Sequence, residues 1–134
     1  MAFDFRDLSV PILVAPMAGG PSTPELAAAG TNAGGLGFVA AGYLTADAFA
    51  DRLRAARDLT TGPMGANLFV PQPSAGTREE IELYAKALGP EAERYGAQLG
   101  EPRFDDDHWA AKIDVLLDAR PDVCLLYTSD AADE

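Results

Sequence analysis

At 134 residues, 48% hydrophobic and 23% charged, the chain has the length and composition of one globular domain rather than of a disordered or fibrous segment. Its net charge of −11 excludes two anionic partners, a nucleic-acid backbone and an acidic membrane surface, both of which it would repel. No run approaches the roughly 18 apolar residues of a membrane span, residues 1–7 carry acids where a leader would be basic and then apolar, and a lone Cys124 rules out an internal disulfide, so a cytoplasmic protein is expected.

Residues 10–15, Val-Pro-Ile-Leu-Val-Ala, read as a strand buried on both faces, with Pro11 near its start where a missing N–H matters least. Residues 16–22 are a loop. Thr23-Pro24-Glu25 is a helix start: a hydroxyl cap, proline at the first helical position and an acid in the first turn. This helix runs to about Ala33, where Gly34 is placed to end it. Residues 36–41 form a second short apolar strand. Thr45 caps a helix through Leu59, with Phe49, Leu53, Ala56 and Leu59 near one face, and Thr61-Gly62-Pro63 ends it.

A third strand spans 64–70. After a loop at 71–76, Thr77 and Glu80 spell a capping box and predict a helix to Leu88. Pro90 opens another over 91–99. Residues 105–119 read as an amphipathic helix with Trp109, Ile113, Leu116 and Leu117 toward a core, and a strand begins at Val123. Alternation of this kind predicts an α/β fold with parallel strands and right-handed crossovers. A doubly wound sheet and a barrel both satisfy it.

Residues 124–134, Cys-Leu-Leu-Tyr-Thr-Ser-Asp-Ala-Ala-Asp-Glu, resemble the translated read-through of a transposon-type sequencing adapter. The expected division is therefore 1–123 as domain and 124–134 as an artefactual tail, with Cys124, Asp130, Asp133 and Glu134 outside functional reasoning. By apolarity alone, residues 123–127 also pass for a strand.

Ligands of parallel α/β folds meet the loops after the strands' carboxyl ends. Three such loops are present: Pro16-Met17-Ala18-Gly19-Gly20, whose glycines admit a flat ligand close to the backbone; Ala41-Gly42-Tyr43; and the turn holding Asn67, which offers a donor and an acceptor to a heterocycle edge. On spacing alone, ordinary turn chemistry is the better account of each of them. Gly35-Leu36-Gly37-Phe38-Val39-Ala40 matches a loose dinucleotide fingerprint, but it follows a helix and enters a strand, the reverse of what that motif needs, so tight helix–strand packing is expected there. His108, the only histidine, sits among Asp105, Asp106 and Asp107 at an expected helix start, where acids suit the helix dipole without a metal. Glu79, Glu80 and Glu82 read as a solvated face. Neither a zinc ligand cluster, a Gly-x-Ser-x-Gly elbow nor a Walker loop occurs.

The stretches Pro11-Ile12-Leu13-Val14-Ala15-Pro16-Met17-Ala18-Gly19-Gly20, Ser22-Thr23-Pro24-Glu25-Leu26, Asn32-Ala33-Gly34-Gly35-Leu36-Gly37, Ala40-Ala41-Gly42-Tyr43 and Gly65-Ala66-Asn67-Leu68-Phe69-Val70-Pro71 together resemble the nitronate monooxygenase (2-nitropropane dioxygenase) family, in order and spacing, over about residues 5–123. The resemblance implies the N-terminal three to four β/α units of a TIM (β/α)8 barrel that binds FMN and oxidises alkyl nitronates with O2 to a carbonyl compound and nitrite. It places Ala15, Pro16 and Met17 along the flavin ring and Asn67 in a hydrogen bond to FMN, with Gly19 and Gly20 as weaker candidates for the site. The partners implied are a small-molecule nitronate and O2. The family's catalytic histidine follows a glycine-rich stretch that has no counterpart here, His108 does not match it, and no catalytic residue is assigned. Phosphate-binding loops after the seventh and eighth strands of such barrels are likewise absent. The alternatives are an FMN-dependent enoyl-thioester or NAD(P)H:quinone reductase on a related barrel, and a small flavodoxin-like binding module.

Overall fold

The computed structural model describes residues 3–74 and 76–127; the expectations that concern Met1, Ala2, Ala75 and Thr128 to Glu134 lie outside the described residues. The chain folds as two compact units, one of Met1–Pro71 with Asp106–Glu134 and one of Gln72–Asp105.

The first unit holds a four-stranded sheet: β1 (Leu13–Val14), β2 (Leu36–Ala40), β3 (Met64–Phe69) and β4 (Val123–Tyr127). All neighbours run parallel and the spatial order is the chain order, 1-2-3-4. A doubly wound sheet reverses direction at a switch point, and a flavodoxin-like module would place its second strand outside the first. Uninterrupted order with every crossover on one side is how a barrel begins. The crossover helices α1 (Pro24–Asn32), α2 (Ala46–Leu59) and, in chain order after the helix of the second unit, α4 (Trp109–Ala119) supply that single layer.

Period-two alternation sorts the strands' side chains into two faces. Val39, Met64, Ala66 and Leu68 meet Ala27, Phe49, Leu53, Ala56 and Leu116 in one core. Gly37 belongs to this helix-facing set: a β-carbon there would run into the backbone of Ala27, so the absence of a side chain lets α1 lie directly on β2. That contact is the tight packing expected of the 35–40 motif. Phe38, paired with Gly65 in the ladder, fills the space above that glycine on the opposite face.

The helix ends follow local chemistry. Thr23 and Thr45 accept N–H bonds from Leu26 and Ala48. At the end of α1, Gly34 has φ 95°, its N–H reaches the Thr31 carbonyl and the Gly35 N–H reaches Gly30, a Schellman closure. Thr31 then ties the layers together, accepting from Gly37 N–H at 3.0 Å and donating to the Pro63 carbonyl at 2.8 Å.

Several expectations are corrected. The first strand is two residues long rather than 10–15, and it is not buried on both faces: it is an edge strand, with Ile12 60% and Leu13 49% exposed. Leu59, the last residue of α2, and Leu117, about 100° round the helix from the buried Leu116, are exposed. The helix expected from residue 105 starts at Trp109, because Asp107 and His108 both hold left-handed backbone. The three aspartates therefore precede the helix instead of occupying its first turn.

In the second unit, one helix, α3 (Arg78–Arg94), replaces the two expected over 77–88 and 91–99. Pro90 removes only its own N–H bond and its fixed φ is helical, while the preceding Gly89 has open space around it. Termination comes later, at Gly96 (φ 62°), where a second Schellman closure runs from Gly96 to Glu93 and from Ala97 to Ala92. The capping box of Thr77 and Glu80 is formed as expected.

Candidate functional site

The carboxyl ends of β1, β2 and β3 lie on one end of the sheet, and the three loops that leave them meet there. After β1, Ala15 and Met17 are exposed and Pro16 is half-buried. Ser22 closes this loop on itself: its hydroxyl accepts from the Met17 N–H at 2.7 Å and its N–H donates to the Met17 carbonyl at 3.4 Å. Ser22 is fully buried, and the Arg52 guanidinium of α2 reaches its carbonyl. Between them Gly19 (φ 80°) and Gly20 (φ 125°) adopt conformations L side chains rarely take, with open space where a β-carbon would stand.

The second loop begins where the Ala41 N–H bonds to the Asn67 carbonyl at 3.0 Å. At Gly42 a methyl would lie 2.5 Å from Phe69 Cε2 and 2.9 Å from Ala18 Cβ. At this one glycine the loop after β2 thus meets the loop after β1 and the end of β3. Next to it Tyr43 (φ 65°) projects its ring against the edge of Phe69, which in turn leans on Tyr127, at centroid distances of 5.8 and 6.3 Å.

Asn67 occupies β3 on the face away from the helices and is 4% exposed. Its Nδ2 donates to the Leu125 carbonyl at 3.1 Å, so one side of the amide bridges β3 to β4. Ladder register puts Ala40, Asn67 and Leu125 side by side.

The sequence reading passed over three residues at this end. Ser22 carries no pattern that sets it apart from any turn serine. Asp107 and Lys112 form a pair with 2.7 Å between carboxylate and ammonium, and Lys112 is 1% exposed. A signal for Lys112 existed: it is the one cation within the stripe of Trp109, Ile113 and Leu116. His108 is exposed and its side chain does not cap α4. Among the described residues no group of three His, Cys, Asp or Glu converges as metal ligands would. Partial burial pushes the Cys124 thiol up, away from the reactive thiolate. A cleft of about 360 Å³ between α2 and α4, lined by Arg54, Arg57, Met64 and Asp118 among others, lies at the opposite end of the strands.

The model of the family described as nitronate monooxygenase matches residues 5–133. The chain belongs to the nitronate monooxygenase family. A probable nitronate monooxygenase of Staphylococcus aureus (strain N315) is 33% identical over 120 residues, which cover 87% of this chain and 33% of the relative. That of Staphylococcus haemolyticus is 34% identical over 121 residues, covering 88% and 33%. Among solved structures, a nitroalkane oxidase from Streptomyces ansochromogenes superposes with a TM-score of 0.83 at 45% identity, covering 92% of this chain and 35% of its own. The chain therefore spans about a third of the length of the nitronate monooxygenases it matches. Together with the strand order, the superposition makes it an N-terminal portion of a TIM barrel of that family. No helix among the described residues is long and apolar enough to cross a membrane.

Proposed function

We propose that this chain supplies the first β/α units of an FMN-dependent oxidoreductase that converts alkyl nitronates and O2 to a carbonyl compound and nitrite. The observation that carries the reading is the meeting at Gly42 of the loop after β1 and the end of β3, the two segments that hold the residues the family resemblance assigns to the flavin. Such a meeting at the carboxyl ends of parallel strands is where barrels of this class bind ligands.

The residues present fit the group. Gly19 and Gly20 leave the backbone bare beside open space, as a planar ring system requires. Ala15, Pro16 and Met17 offer partly exposed apolar surface beside it. Asn67 adds a buried amide with hydrogen-bonding capacity. When bound, FMN supplies the redox chemistry. This chain's part is to position: Ser22 holds the Met17 backbone, Gly42 permits close packing of the loops, and Asn67 orients the ring edge. The nitronate-facing histidine and the phosphate loops belong to the longer protein, so the 134-residue chain alone binds FMN weakly and turns over no nitronate.

The test uses the longer protein. Purification with bound FMN, and nitrite release from propyl-2-nitronate in air, is the expected result. A preparation that takes up no flavin overturns the reading. Flavin reduction that depends on NAD(P)H, without nitrite release, assigns the barrel to the reductases instead.

A further inference from the structure

Four described non-glycine residues have left-handed backbone: Tyr43, Asp107, His108 and Arg120. Arg120 is the end cap of α4, a usual place for that conformation. The other three sit together. Asp107 Oδ1 accepts the Tyr43 N–H at 3.0 Å across 64 residues of sequence, Asp107 Oδ2 lies 2.7 Å from Lys112 Nζ, and His108 is the next residue. Backbone in sparsely populated regions persists only where its surroundings over-determine it, and such clusters gather at ligand-binding ends.

Lys112 is the anomaly in this set. It is buried to 1% exposure on the stripe of α4 that packs on the core, where an apolar side chain would serve packing as well. Lysine is rarely buried to this extent without a partner. Asp107 is that partner, with 2.7 Å between its carboxylate and the Lys112 ammonium. That charge does something an apolar residue could not. With Oδ2 beside Lys112, Oδ1 faces the loop after β2.

We propose that Lys112 is a positioning residue: acting through Asp107, it holds the Tyr43 backbone in its left-handed turn and so sets the Tyr43 ring against Phe69 at the rim of the candidate site. Lys112 itself touches no ligand. The consequence for a bound flavin or nitronate, that Tyr43 forms part of the wall, rests on the function proposed above; the clamp does not.

The test is amide hydrogen exchange in the 134-residue chain without ligand, so its result is independent of flavin binding. Lys112→Met should speed exchange at the Tyr43 amide tenfold or more while the Ala41 amide, bonded to Asn67, keeps its protection. Unchanged exchange at Tyr43 overturns the proposal, as does equal loss at both amides, which marks a general structural role. If Lys112→Met does not fold, the background Tyr43→Gly decides, because glycine removes the conformational cost that the clamp opposes. Recovery of folding in Tyr43→Gly/Lys112→Met supports the proposal, and failure there overturns it.

Discussion

The rings of Tyr43 and Phe69 stand edge to face, with centroids 5.8 Å apart and planes inclined by 64°. Such pairs contribute about 1 kcal/mol beyond the area they cover. They also fix the space above Gly42, where a methyl would meet both Phe69 and Ala18. Gly42→Ala should therefore destabilise the chain by about 2 kcal/mol through overpacking. The same substitution in a Phe69→Ala background should cost less than half as much, because one of the two obstacles has gone. Urea denaturation of the two single variants and the double variant measures the coupling, and strict additivity would refute it.

Gly37→Ala makes a sharper case. Its β-carbon meets main chain at Ala27, which cannot rotate away as a side chain can. A loss of about 3 kcal/mol, or no folded protein, is expected. An unchanged urea midpoint would show that α1 does not rest on β2 as described.

Glu80 gives the pH dependence its sign. The Thr77 backbone N–H, and then the Thr77 hydroxyl, hold the Glu80 carboxyl below the usual glutamate range. A depressed folded-state value stabilises the helix at pH above the ordinary glutamate range, and the benefit fades as pH falls through the lowered value. Glu80→Gln, which keeps an acceptor but cannot titrate, should match the wild type in acid and fall behind it near neutrality. Helix α3 amide protection followed from neutral to acid pH measures this. A difference that grows toward acid would contradict the sign.

For Asn67 two roles can be separated. Asn67→Ala removes the Nδ2 bond to the Leu125 carbonyl, a loss of about 1 kcal/mol in stability. If the amide also serves FMN, affinity in the longer protein should drop about tenfold, equivalent to about 1.4 kcal/mol. Equilibrium flavin binding, measured where both proteins remain folded, distinguishes a ligand contact from a strand bridge. Unaltered affinity would remove Asn67 from the flavin site.

The parts of this architecture legible in the sequence are those that depend on neighbours in the chain. Thr23, Thr45 and Thr77 cap helices because a hydroxyl and an N–H three residues apart need only local geometry. Loops at 16–20 and 41–43 followed from strand polarity alone, whereas Asn67, expected in a turn, lies within β3. What could not be read depends on residues far apart. Pro90 signals a break, yet an exposed helix tolerates the loss of one N–H bond. Asp107 looks like a helix-dipole acid until its contacts with Tyr43 and Lys112, one of them 64 residues away, place it in a left-handed turn. Ser22 is one turn serine among several until burial sets it apart.

Asp122 has a wider consequence than its position just ahead of β4 suggests. Its carboxylate accepts the Met64 N–H at 2.9 Å and faces the Arg57 guanidinium at 3.3 Å, while its own N–H donates to the Met64 carbonyl. Asp122 thereby fastens the start of the fourth strand to the start of β3 through main chain and side chain together. From there the main chain of β4 runs on in one unbroken parallel register against β3, from Val123 beside Gly65 to Tyr127 beside Phe69.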